Sequence, residues 1–272
     1  MTTYPAKKDS KRTLVLAGAA VVVATVTLYI ILPIIALFLR TNPELFLASL
    51  ADPEVISALW LSLTTSVISL VVIILVGTPF AYLHCRHQYP GKVLVDTIID
   101  LPLVLPPAVA GLALLVLYGR AGLVGRYAGV LGFSIAFTTL AVIMAQIFVA
   151  SPFYLRQAKS LFDQLDPAYE RTARTLGASP ARVFGQVVVP LTAGGLVSGA
   201  VMTFGRALGE FGATIMFAGN LPGVTQTMPL AVYVSMAGDF NAGITISILL
   251  VLISFAIMIV VRILANTEVP HA

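Results

Sequence analysis

Long uncharged apolar stretches alternate with short polar ones along this chain, and the first stretch sets the scale. Residues 14–39 carry no charged side chain and a single proline, Pro33. A bilayer core takes about 20 apolar residues in helical form. Five further stretches meet that length, at about residues 57–83, 101–118, 135–154, 192–218 and 243–261. Lys7, Lys8, Lys11 and Arg12 precede the first, as in a signal peptide. Its apolar run is far longer than a signal core of about 7–15 residues, and no small-x-small site closes it. The pattern therefore predicts a retained helix and six spans.

Composition agrees with lipid as the solvent. Of 272 residues, 58% are hydrophobic and 10% charged, against about a quarter charged in a soluble globular domain. No segment between the spans is long enough to fold alone in water. The expected organisation is an all-α membrane protein with one membrane domain. A tail occupies residues 1–13, the first helix 14–39, the body 55–264 and a second tail 265–272. The single cysteine, Cys85, excludes a disulfide within one chain. The basic residues are scattered rather than gathered into a stripe, so the net charge of +4 does not point to nucleic acid.

Six spans put both termini on one side, and the positive-inside rule chooses it. Twelve of the 16 Lys and Arg residues share the side of the N-terminus; Arg40, Arg120 and Arg126 fall opposite, and Arg206 falls within a span. Both ends are expected in the cytoplasm, on a multi-pass protein of the plasma membrane. The longest segment on that side is 155–190. The last external one, 219–242, has no Lys or Arg and carries Asn220, Pro222, Gly223 and Pro229.

The 155–190 segment holds the most informative run, Asp166 to Pro180. Asp166 followed by Pro167 is an N-cap with proline at the first helical position. Ala168 to Leu176 makes a short helix, Gly177 stops it, and Ser179-Pro180 starts another running towards Pro190. A helix, a glycine corner and a second helix offer a rigid knob to a partner; spacing alone equally fits an ordinary connector. The run resembles the EAA loop of ABC importer permeases. Arg171-Thr172-Ala173 stands at the Glu-Ala-Ala position, with Gly177, Val187, Val189 and Pro190 at the matching offsets. The departure is Arg171 in the first position, with Glu170 one residue earlier.

The resemblance implies the type I ABC importer permease fold. Residues Glu170, Arg171, Thr172, Ala173, Gly177, Ala178, Ser179 and Pro190 would then form a cytoplasmic coupling loop engaging a separate ATPase. The chain has no phosphate-binding Gly-x-x-x-x-Gly-Lys-Ser/Thr loop: Gly91-Lys92 is followed by Val93 and lacks the first glycine. ATP and magnesium would sit on the ATPase, with no cofactor in this chain and no bond chemistry performed by it. Two more stretches, Asp100 to Gly111 and Arg206 to Asn220, resemble the molybdate permeases in particular. The implied partners are a second permease copy, two ATPase subunits and an external molybdate-binding protein. Sulfate permeases share a looser version of both stretches, and tungstate is not separable from molybdate on this ground.

Within the spans, Pro102, Pro106 and Pro107 interrupt the start of the third. Two readings stay open: a bent, pore-lining helix near a gate, or a helix that begins at Pro106. Arg206 and Glu210 are spaced i, i+4 and share a helix face with Thr203 and roughly with Thr214. Membrane-buried charges are usually paired or turned inward. Arg206 would attract a divalent anion and Glu210 oppose it, so the pair fits a lock as well as a pathway. Gly195, Gly199, Gly205 and Gly209 suit close helix packing. His84-Cys85-Arg86-His87 invites a metal reading, but two imidazoles and a thiol are a poor ligand set; an interfacial turn is expected. Trp60, Tyr118 and Tyr127 read as interface anchors. A secondary transporter would favour inverted repeats with broken helices in matching halves, and no such repeat is visible. An intramembrane serine hydrolase fails because Gly132-Phe133-Ser134-Ile135-Ala136 lacks the second glycine of Gly-x-Ser-x-Gly.

Overall fold

The computed structural model describes residues 10–267, with side chains described from 15 to 259. Residues 1–9 and 268–272 of the expected tails, and the side chains of Lys7, Lys8, Lys11, Arg12 and Arg262, lie outside the described residues. Every regular element among the described residues is helical. In order these are α1 (Ser10–Arg40), α2 (Pro43–Leu50), α3 (Pro53–Arg86), α4 (Lys92–Val104), α5 (Pro107–Tyr118), α6 (Gly125–Val130), α7 (Thr139–Gln164), α8 (Pro167–Thr175) and α9 (Pro180–Val183). A π-helical turn at Phe184–Val188 leads into α10 (Val189–Leu208), followed by α11 (Gly212–Phe217), α12 (Met228–Gly238) and α13 (Phe240–Thr267).

One local signal starts several of these helices: a capping side chain followed by proline, whose missing N–H costs nothing at the first position. Asn42 accepts from the Glu44 N–H at 2.9 Å, Asp52 from Glu54 at 2.8 Å and Asp166 from Ala168 at 2.8 Å. Among the described residues, five helices are long and apolar enough to cross a bilayer: Val15–Arg40, α3, α7, the run Pro180–Leu208, and Phe240–Ile259 of α13. The pair α4 and α5 is apolar enough only when taken together and is bent by 115°, the geometry of a broken span or a re-entrant loop.

The bend falls within the third span, expected over 101–118, at the prolines expected to interrupt it, and α5 starts only after Pro106. A residue before proline is driven out of the α region. Leu105 precedes Pro106 and Pro106 precedes Pro107, so both residues are extended, with ψ of 132° each. Two extended residues in succession turn the chain sharply. Pro102 stays inside α4, and Pro106 becomes the cap of α5. The fifth span, expected over 192–218, is also divided: α10 ends at Leu208 and α11 starts at Gly212. The fourth begins at Thr139 rather than 135 and runs on to Gln164. Within the expected external loop 219–242 lies α12, and α2 adds a short helix before α3.

The centre of the packing is α7, which lies against α3 and α10 along their lengths and meets α11 and α5 near its start. Small residues on α7 (Ala141, Ala145, Ala150 and Ala158, all fully buried) let its neighbours approach closely. A polar ladder binds α3 to α7 inside the apolar zone. Gln146 donates to Thr65 and Ser66 at 3.2 and 3.3 Å, and Ser69 donates to Gln146 at 2.9 Å. Hydrogen bonds of this kind between membrane helices contribute about 0.6–2 kcal/mol each. At 34 residues, α3 is about 50 Å long. It outreaches a bilayer core of about 30 Å, so its last turn emerges beside α8 and the end of α7.

Candidate functional site

Two regions gather the residues singled out from the sequence. The first is the α8 corner. Asp166 caps α8 at its start and Leu176 at its end, and Gly177 reverses the chain with φ +86°. That left-handed conformation is open to glycine and costly for most other residues. The Ala178 N–H bonds back to the Ala173 carbonyl at 3.0 Å, closing the corner, and Ser179 caps α9 through the Arg182 N–H. Ala173 and Ala178 pack inward against the cluster that contains Val183 and Val188. Arg171, Thr172, Ser179 and Pro190 are exposed.

Sequence spacing missed the two apolar side chains that the corner displays. Tyr169 and Leu176 are 54% and 83% exposed on a polar helix. Both stand open on the outer face of the corner. The π turn was also unforeseen, yet its origin lies in Pro190. A proline ring in a regular helix clashes with the carbonyl four residues back. Widening the helix over Phe184–Val188, with the Val189 N–H reaching the Phe184 carbonyl, relieves that clash.

Glu170 behaves differently from its neighbours. It is buried and turned away from the corner's outer face. Its carboxylate accepts from Arg86 Nε at 2.6 Å and from the Tyr82 hydroxyl at 2.8 Å, while Arg174 stands 3.7 Å away. The acidic residue displaced by one position is therefore an internal anchor to α3. The stretch His84 to Arg86, expected as a turn, is the last turn of α3, with His87 as its cap. His84 is buried, Nδ1 paired with the Tyr89 hydroxyl at 2.6 Å and Nε2 with Asp96 at 2.9 Å. Lys159 of α7 reaches the same Asp96 oxygen at 2.5 Å. The Asp96 carboxylate is thus shared between α3 and α7. Among the described residues no group of three or more His, Cys, Asp or Glu is placed to hold a metal.

The second region is where the two broken spans meet. Arg206 and Glu210 do not lie on one helix, because α10 stops at Leu208. They still pair: Arg206 Nη2 lies 2.6 Å from Glu210 Oε2. The contact is an ion pair rather than a directed hydrogen bond, since Oε2 has no donor in hydrogen-bonding alignment. The other oxygen, Oε1, accepts from the Ala213 N–H at 2.7 Å and so starts α11. Glu210 is 1% exposed and the Arg206 side chain 27%. Pro107 sits against Gly212, where an added Cβ would come within 2.7 Å of the proline Cβ. The structure thus brings Pro106, Pro107, Arg206 and Glu210 to one place. Pro102 is set apart on α4. Thr203 is buried and turns its hydroxyl to the Gly199 carbonyl at 2.8 Å, so it presents nothing to a pathway.

A bundle of membrane-crossing helices packed round α7, with two broken helices meeting beside it and a capped polar knob at one end, fits a permease. Residues 89–267 match the family model described as binding-protein-dependent transport system inner membrane component, and the chain belongs to that family. The molybdenum transport system permease protein ModB of Mycobacterium tuberculosis is 40% identical over 243 residues, 89% of this chain and 90% of that one. The probable sulfate transport system permease protein cysT of Chlorokybus atmophyticus is 34% identical over 220 residues, 80% of this chain and 77% of that one. Among solved structures, a bacterial ABC transporter involved in the import of the acidic polysaccharide alginate superposes with a TM-score of 0.75. It covers 96% of this chain and 98% of its own at 16% identity, a likeness of fold. The chain is therefore an integral inner-membrane, pore-forming permease subunit with the ABC importer permease fold.

Proposed function

We propose that this permease imports molybdate, with tungstate as an alternative cargo of nearly the same size and charge. The observation that carries the reading is the 40% identity to a molybdenum permease over almost the full length of both chains. Sulfate is the second reading, favoured by the 34% identity to a sulfate permease. In this reading both termini face the cytoplasm and two copies pair around a central pathway. Each α8 corner inserts Tyr169 and Leu176 into one of two ATPase subunits, which bind ATP and magnesium. An external binding protein delivers the oxyanion to the face that carries the 219–242 segment. Closure of the ATPases moves both α8 corners, and the broken spans exchange an inward-open for an outward-open arrangement.

The test is molybdenum accumulation, by elemental analysis, in cells that lack their own molybdate importer and receive this chain with its ATPase and binding protein. Uptake that resists a large excess of sulfate and stops with an inactive ATPase is the expected result. Uptake abolished by sulfate, or sulfur accumulating instead, overturns the substrate and leaves the permease fold standing.

The corner makes a separate prediction. Nothing lies within 4 Å of a Cβ built on Gly177, so substitution there acts through the backbone alone. Gly177→Val forces a β-branched residue into the left-handed region at a cost of about 1–2 kcal/mol. Recovery of the ATPase with the affinity-purified permease should fall sharply. Gly177→Asn, which tolerates that region, should retain it. Equal recovery with both variants would show that the corner's conformation is not what the partner reads.

A further inference from the structure

The last turn of α3 carries three polar residues that the proposed function leaves without a role. Tyr82 and Arg86 are four residues apart and share a helix face. His84, two residues from each, projects to the opposite side. The first face holds α8 through Glu170, and Arg86 adds a longer contact to the Leu165 carbonyl at 3.4 Å. The opposite face holds α4 through Asp96, on the oxygen that also takes Lys159. Cys85, between them, donates to the Lys159 carbonyl of α7 at 3.5 Å.

The helix α4 has no fully buried residue. Its apolar side, Val93, Leu94, Ile98 and Val104, faces outward with exposures of 57–81%. On its inner side is a cavity of about 460 Å³ lined by Phe80, His84, Asp96, Arg156, Lys159 and Asp163 among others. The inner contacts of α4 are mainly charged: Asp96 with His84 and Lys159, and Asp100 with Arg156 at 3.7 Å. A helix fastened by directed ties beside an open space follows those ties when they move. Beyond α4 come only Leu105 and Pro106 before α5, which packs on α11 at the junction of the broken spans.

We propose that the last turn of α3 is a relay, in which Tyr82 and Arg86 take up displacement of α8 and His84 passes it to α4 and so to α5. These are positioning residues, and coupling along such a chain requires an element with two arrangements that both ends bias. In the relay, the α4–α5 elbow, bent here by 115°, serves as that element. The proposal rests on the reading that α8 is driven by an ATPase.

The experiment uses the assembled complex of permease, ATPase and binding protein in lipid nanodiscs, in a Cys85→Ala background. Spin labels at Thr175→Cys on α8 and Leu94→Cys on α4 are each measured against a label at Val130→Cys on α6, with and without trapped nucleotide. Both distances should change in the otherwise native chain. In His84→Leu the Thr175 distance should still change and the Leu94 distance should not. In proteoliposomes of the unlabelled variant, molybdate carried per ATP hydrolysed should fall about tenfold. Asp96→Asn weakens the same link from the other side if His84→Leu does not assemble. On the α8 side, Glu170→Arg with Arg86→Glu should restore the Leu94 response that Glu170→Gln reduces. A Leu94 label that follows nucleotide in His84→Leu, or never moves while Thr175 does, overturns the relay. A Thr175 label that stays fixed in the native complex overturns the reading beneath it.

Discussion

Replacing Arg206 with alanine should lower the stability of the permease by about 3 kcal/mol, because it strands the buried Glu210 carboxylate. Removing one partner of a buried ion pair typically costs about 3–5 kcal/mol. The lower figure applies because Arg206 keeps 27% of its side chain exposed while Glu210 keeps 1%. For a chain of this size that is roughly a 10 °C fall in thermal midpoint, readable on the purified protein in detergent. The loss comes from an unpaired charge, so removing both charges should recover most of it. Arg206→Leu with Glu210→Gln keeps an oxygen for the Ala213 N–H and should stand within about 1 kcal/mol of the native chain. The double variant then separates two roles that charge and spacing leave entangled. A stable double variant that still carries molybdate makes the pair a lock on the break between α10 and α11. A stable double variant that carries none places Arg206 on the path of the anion.

Glu210 also shows where sequence reasoning stops. The spacing from Arg206 correctly paired the two residues, but it assumed a continuous helix between them. A carboxylate that accepts the Ala213 N–H at 2.7 Å has taken over the capping of a new helix. Periodicity records where a side chain points and not which backbone donor it captures. The elbow at Leu105–Pro106 was half legible. Consecutive prolines announce extended backbone, yet the angle of 115° goes with α4 being tied through Asp96 and Asp100 to Lys159 and Arg156, more than 50 residues away on α7. The long spans were legible because lipid imposes a length and an apolar composition together. The α8 corner was legible because its cap, its proline and its glycine are local devices. The last turn of α3 was not. His84, Cys85 and Arg86 are adjacent in sequence and were expected as an interfacial turn, yet each serves a different helix: α4, α7 and α8.

A single methyl group at Gly111 should be among the most damaging small changes to transport, more than any change on the lipid-facing helix surfaces. A Cβ there would lie 2.5 Å from the Ala213 carbonyl oxygen, 2.8 Å from the Ala213 Cα and 2.8 Å from the Met216 Cβ. Two of those three atoms are backbone, which no rotamer change can move aside. The contact can be relieved only by shifting α5 and α11 apart by about 1 Å, and overpacking of that kind costs about 1–3 kcal/mol. The same crossing carries the reciprocal contact of Gly212 with Pro107, so a shift at Gly111 disturbs both broken spans at their junction. Gly111→Ala is therefore expected to lower the thermal midpoint by several degrees and to cut molybdate uptake severely. Gly129→Ala on α6, where nothing lies within 4 Å of the added Cβ, should leave both unchanged. The informative case is a Gly111→Ala protein that loses stability yet transports at the native rate. The crossing of α5 on α11 would then belong to one state of the cycle only, and transport would proceed by separating the two helices at that point. A loss of both properties means that the crossing persists throughout, and that the two broken spans move as one body.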